Sequence, residues 1–109
     1  KTAGFAVGRL VMAAGIVDRE PVGVAETFPA DTGKVYCFLE ARNISRDTTV
    51  IFAWIYEGEE IHLTELPLPA GSRWRTRAEK TLYSLEGYWV VEIRDAENRL
   101  VDAVEFMVE

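Results

Sequence analysis

Hydrophobic positions recur in short runs about ten residues apart, separated by clusters of Gly, Pro, Asn and Asp. This spacing predicts a β-sandwich or barrel. Seven stretches are strand candidates: residues 5–16, 35–41, 48–56, 60–66, 72–78, 88–94 and 100–108. Pro21, Gly23, Pro29, Asp31 and Gly33 mark a long loop after the first, and Asn43 ends the second. Glu57-Gly58-Glu59 reads as a hairpin turn and Asp95-Ala96-Glu97-Asn98 as a tight turn, while Pro67, Pro69 and Gly71 close the fourth run. Thr48-Thr49-Val50-Ile51-Phe52 is β-branched and aromatic, which suits a pleated sheet. Only residues 77–85 carry a helical alternative, through Ala78-Glu79-Lys80. The expected fold is all-β: one immunoglobulin-like antiparallel β-sandwich of about seven strands over residues 1–109.

Period-2 alternation assigns faces. Trp89, Val91 and Ile93 form the better core face of their run, because Tyr88, Val90 and Glu92 include a charge. Phe52 and Trp54 share one side of the third run, which turns Ile51, Ala53 and Ile55 outward. The second run sets Val35, Cys37 and Leu39 against Tyr36 and Phe38. Two strands that are apolar on both faces depart from the polar exterior of an ordinary sandwich. Either loops cover the outer faces, or an apolar patch is open to a partner.

Composition narrows the function classes. Hydrophobic residues make up 49% of the 109, enough for a packed core. The formal net charge of -6 argues against nucleic acid, which needs a basic surface, and more weakly against anionic membranes. The single cysteine, Cys37, cannot form an internal disulfide. Residue 1 is Lys, so the chain is expected to be a processed or excised segment, with any signal or membrane anchor upstream. The apolar stretch 5–17 is too short to span a membrane and is interrupted by Arg9.

Several motifs together resemble one bacterial family. They are Ile16-Val17-Asp18-Arg19-Glu20-Pro21-Val22, Val35-Tyr36-Cys37-Phe38, Trp54-Ile55-Tyr56-Glu57-Gly58, Arg73-Trp74-Arg75 and Gly87-Tyr88-Trp89-Val90-Val91-Glu92-Ile93-Arg94-Asp95. In order and spacing the chain resembles domain-of-unknown-function family 2914. Two positions depart from that pattern: Phe52 stands where the family often has histidine, and Ala96-Glu97-Asn98 lacks the glycine common in the last turn. The resemblance implies a domain of an exported or membrane-tethered bacterial protein and assigns no activity.

Catalytic groups are sparse. His62 is the only histidine, so any Ser-His-Asp or Cys-His arrangement would have to use it, and Cys37 lies mid-strand among aliphatics. One His and one Cys do not make a zinc site. Asp95, Glu97 and Asn98, or Asp18 with Glu20, offer oxygen ligands without the spacing of a calcium loop. Glu57, Glu59 and Glu60 crowd a turn and read as solvated. Arg73-Trp74-Arg75-Thr76-Arg77 stands out in an acidic chain: if extended, Arg73, Arg75 and Arg77 line one face and could grip carboxylate or phosphate groups. The plainer alternative is pairing with Glu59 and Glu65 across strands, combined with edge protection.

These readings lead to a non-catalytic protein-interaction or assembly module of the bacterial cell envelope, periplasmic or extracellular, with no cofactor or metal. Its candidate partner-binding residues are Ile51, Ala53, Ile55, Tyr88, Val90, Arg73, Trp74, Arg75 and Arg77. The partner would be another protein, the parent chain or a second copy. The alternative is a carbohydrate-binding accessory domain that uses Trp74 with Tyr36, Tyr83 and Tyr88.

Overall fold

All seven alternating runs are strands in the computed structural model, whose description covers residues 4–109. The strands are β1 (Ala6–Val17), β2 (Glu20–Val24), β3 (Thr27–Phe28), β4 (Lys34–Ile44), β5 (Thr48–Tyr56), β6 (Glu59–Leu68), β7 (Gly71–Thr81), β8 (Gly87–Arg94) and β9 (Leu100–Val108). A four-stranded sheet, ordered β2-β1-β4-β7, packs on a five-stranded sheet ordered β3-β9-β8-β5-β6. Every pairing is antiparallel except β3 with β9. The fold is a β-sandwich of nine strands rather than seven.

The two additional strands lie in the stretch expected to be a loop. Pro21 belongs to β2, an edge strand, where its missing N–H deprives no neighbour of a hydrogen bond. Gly23 adopts φ 67° with Ala14 Cβ 2.9 Å from where its own Cβ would stand, a close approach that only glycine allows. The chain then changes sheets within two residues: Ala25 N donates to Met12 O at 3.2 Å, and Met107 N donates to Glu26 O at 2.8 Å.

The helical alternative at residues 77–85 is also overturned. β7 stays paired with β4 as far as Lys34 opposite Thr81, and the chain turns only at Tyr83 and Ser84, both with positive φ. Ala78, opposite Cys37, is 3% exposed, so burial and the ladder outweigh a local helix preference. At Glu57-Gly58 the expected hairpin forms; both residues have positive φ, as a two-residue type I′ loop requires.

The face assignments hold in the core. Val35, Cys37, Leu39, Phe52, Trp54, Trp89, Val91 and Ile93 are all fully buried. A row of aromatic rings crosses the five-stranded sheet from Phe28 through Phe106 and Trp89 to Tyr56, with successive centroids 5.8, 5.6 and 4.9 Å apart. Such pairs add about 0.5–1.5 kcal/mol each beyond their buried area. The Trp89 indole N–H donates to Leu85 O, whereas that of Trp54 has no partner among the described residues.

Candidate functional site

Residues directly opposite in an antiparallel pair project to the same face. β4 sends Val35, Cys37, Leu39 and Ala41 into the core, so Phe38, Glu40 and Arg42 point outward. The register sets Arg77, Arg75 and Arg73 of β7 opposite these three, so the arginines share the outer face, as their alternation predicts. Trp74 stands opposite Ala41 on the inward side, but at the sheet edge, and keeps 38% of its surface exposed.

The arginines do not pair with Glu59 and Glu65, which lie in the other sheet. Arg75 instead meets Glu20 and, at 3.6 Å, Glu40. Arg42 holds Glu40 at 2.8 Å, and Arg9 reaches Glu20 at 3.9 Å. The Arg42 hydrogen bond is the main force holding the Glu40 carboxyl below the ordinary range, against the opposing effect of burial; the charges of Arg42, Arg73 and Arg75 add to it.

Glu20 is on β2, and β1 and β4 separate it from β7. In a flat sheet the two edges would stand roughly 14 Å apart. The ion pair with Arg75 therefore places the tip of the β1–β2 hairpin across the outer face of its own sheet. Asp18 and Arg19, both with positive φ, make that tip. Phe38 is consequently 3% exposed although it points outward, with the Arg9 guanidinium 5.8 Å from its ring.

A groove of about 380 Å³ follows the free edge of β7, lined by Arg19, Phe38, Trp74, Arg75 and Arg77, with Leu66 and Pro67 on the β6 side. An adjoining hollow of about 250 Å³ lies between Arg19, Arg73, Trp74 and Arg75. Arg9, Arg19, Arg42, Arg73, Arg75 and Arg77 are half of the chain's 12 Lys and Arg, in a protein with 18 Asp and Glu. Among the described residues, no carboxylate lies within 4.0 Å of Arg19, Arg73 or Arg77. Sequence reasoning found the β7 triad but missed Arg9, Arg19, Glu40 and Arg42, and weighed Glu20 only as a calcium ligand.

The other candidate set occupies the opposite surface. Ile51, Ala53 and Ile55 of β5 sit beside Arg94, Glu92 and Val90 of β8 on the outer face of the five-stranded sheet, with Tyr88 farther along the same face. Ala53 is fully buried, Ile51, Ile55 and Val90 are half-buried, and Tyr88 is 41% exposed. Arg94 reaches Glu60 and Glu92, each at 2.9 Å, so its guanidinium spans the Ala53 row. Burial lowers the Arg94 pKa, but the two carboxylates outweigh it and the net shift is upward. Glu105 beside Tyr88 raises its phenol. Trp74 and Tyr88 belong to different sheets and do not form one stacking platform.

The remaining candidates are absorbed locally. Burial raises the Cys37 thiol pKa far above its ordinary value. Asp95 Oδ1 accepts from the Glu97 and Arg99 N–H groups at 3.0 and 2.9 Å, and Oδ2 accepts from Arg99 Nε at 2.8 Å. Asn98 Oδ1 accepts from Arg94. The Asp95 and Asn98 oxygens considered for calcium are thus engaged by the protein's own donors.

The model of the family described as "Protein of unknown function (DUF2914)" matches residues 47–108. The chain belongs to the DUF2914 family. The matched segment carries Trp54-Ile55-Tyr56, Arg73-Trp74-Arg75 and the β8 motif; the β1–β2 hairpin lies outside it. No curated protein matches the sequence. Among solved structures, the DUF2914 chain is similar in fold to part of a β-D-glucoside glucohydrolase from Trichoderma reesei, with TM-score 0.61, 10% identity and 96% of this chain covered. A mutant β-glucosidase from Listeria innocua in complex with laminaribiose gives 0.58, 12% and 96%. A β-glucosidase from Kluyveromyces marxianus gives 0.55, 10% and 96%. The DUF2914 chain spans only 19%, 16% and 14% of these proteins respectively. At such identity the likeness concerns the sandwich fold alone.

Proposed function

We propose that this domain is a non-catalytic protein-interaction module of the bacterial cell envelope, and that it docks an extended, carboxylate-bearing protein segment along β7. The supporting observation is that three arginines without ion pairs among the described residues, Arg19, Arg73 and Arg77, converge beside exposed Trp74 on an unpaired sheet edge. An unpaired edge offers main-chain hydrogen bonds, and guanidiniums bind carboxylates in forked geometry. The envelope placement rests on the family resemblance. We read the sandwich as immunoglobulin-like, supported by its two antiparallel-rich sheets and the tryptophan buried on a central strand.

The test is titration with a fluorescent Glu-rich peptide at low and high salt. Binding that weakens with salt and falls at least roughly tenfold in Arg73→Ala/Arg77→Ala supports this reading. The carbohydrate alternative draws on the exposure of Trp74. Binding of a uronic-acid oligosaccharide in place of the peptide would overturn the protein reading in its favour.

A further inference from the structure

The sandwich has one side on which both sheets end in an unpaired strand: β7 from the four-stranded sheet and β6 from the five-stranded sheet. Only Pro69 and Ala70 separate them in the chain, so the two edges start at the same level and run in opposite directions. β6 turns Glu65, Leu63 and Glu60 outward, in the rows of Ile51, Ala53 and Ile55. The β-bulge at Ile61 brings Glu60, rather than Ile61, into the third row. β7 turns Arg73, Arg75 and Arg77 outward. Over these three rows one edge is acidic and the other basic, before β7 continues to Glu79.

We infer that the occupant of β7 is β6 of a second copy of this chain. The inference rests on the reading of β7 as a docking edge. Rotation by 180° about an axis parallel to the edge strands lays β7 of one copy beside β6 of the other, antiparallel and at the same level. The same rotation brings the remaining β6 and β7 together, so the contact is two-fold and closed. Outer faces then continue across the junction. Glu65 falls opposite Arg73, Leu63 opposite Arg75, and Glu60 opposite Arg77.

The match follows the internal pairing of each group. The two glutamates meet the two β7 arginines that have no carboxylate within 4.0 Å among the described residues, while Arg75, already held by Glu20 and Glu40, meets an apolar side chain. Glu60 uses Oε1 to hold Arg94, which leaves its second oxygen for Arg77. Ile61 and Leu63, 42% and 49% exposed, lie on the joining edge. Pro67, which has no N–H to donate, and the bulge at Ile61 confine the backbone pairing to residues 62–66, beyond which Glu60 meets Arg77 through its side chain alone; the closed two-fold uses both edges of each copy and so ends the contact at a dimer.

The experiment is sedimentation equilibrium of the whole chain over a concentration series, in low and high salt, with Arg73→Glu, Glu65→Arg and the double exchange. All four proteins are checked for native circular dichroism. We expect a monomer–dimer equilibrium weakened by salt, about tenfold weaker dimerisation in each single variant, and recovery in the double exchange. Arg77→Glu replaces Arg73→Glu if the latter does not fold. A monomer at every concentration, or single variants that dimerise like the parent, overturns the inference. If the monomer nonetheless binds Glu-rich peptide at β7, the docking-edge reading stands and only the second copy is excluded; if neither occurs, both fall.

Discussion

Asp95→Ala tests the account of the last turn. Asp95 is 2% exposed and accepts three hydrogen bonds, two from backbone N–H groups of the turn and one from the Arg99 guanidinium. The backbone closes the same loop: Asp95 N donates to Arg99 O at 2.9 Å and Asn98 N donates to Asp95 O at 2.8 Å. Hydrogen bonds to a charged group are worth about 1.5–3 kcal/mol each, but three on one carboxylate are not additive, and the freed donors are partly rehydrated. The expected loss is about 2–4 kcal/mol, or roughly 10–20 °C in Tm for a domain of this size. Burial raises the Asp95 pKa, while hydrogen bonds from Arg99 and Glu97 outweigh it and leave the carboxyl below its ordinary value. A group with a depressed folded pKa stabilises above its unfolded pKa, about 3.9, and loses that contribution as pH falls through the folded value. Urea unfolding of wild type and Asp95→Asn should therefore show a stability gap that is full at pH 7 and narrows below about pH 4. Calcium should leave Tm unchanged. A gap independent of pH, a cost in Asp95→Ala below about 0.5 kcal/mol, or stabilisation by calcium would refute the reasoning.

Two further outcomes follow from packing. Phe38→Ala, on an outward position, should cost about 3–5 kcal/mol in urea unfolding because the β1–β2 hairpin covers the ring; a loss under about 1 kcal/mol would mean that the hairpin does not pack there. Trp54→Phe should cost much less than the roughly 3–5 kcal/mol of Trp54→Ala, since the indole N–H it removes has no partner; equal costs would point to a hidden hydrogen bond.

The strands were legible where side-chain period and backbone agreed. β5 and β9 coincide with the alternating runs 48–56 and 100–108, and Gly58 marked its turn because a positive φ is cheap only for such residues. β2 was hidden because Pro21 and Gly23 signal loops, yet an edge strand tolerates both. Ala78-Glu79-Lys80 misled because local propensity carries no information about the β4 ladder that captures the segment. The site divides in the same way. The Arg73, Arg75 and Arg77 stripe is a property of one strand and could be read from it. Phe38 and Glu40 join it through the β4–β7 register, and Glu20 through a hairpin that folds over its own sheet; both are long-range events without a local pattern.

That hairpin also accounts for part of the oddity of strands apolar on both faces. The four-stranded sheet covers its outward Phe38 with its own hairpin and with Arg9, and the five-stranded sheet spans Ala53 with Arg94 held by Glu60 and Glu92. Phe38 and Ala53 are each covered by an arginine whose charge is neutralised by nearby carboxylates, while Tyr88 on the same outer face as Ala53 stays 41% exposed. Internal cover thus uses Arg9 and Arg94 together with the acids around them. Arg19, Arg73 and Arg77, which gather at β7, have no carboxylate within 4.0 Å among the described residues. In an acidic chain, leaving these guanidiniums unpaired beside ample carboxylate concentrates positive potential on one sheet edge, and a β-edge with a localised charge selects its partner strand by sign before backbone hydrogen bonds form. Recognition on this fold is therefore expected to follow the edge and its salt dependence, and to be insensitive to substitutions on the half-buried strip of Ile51 and Ile55.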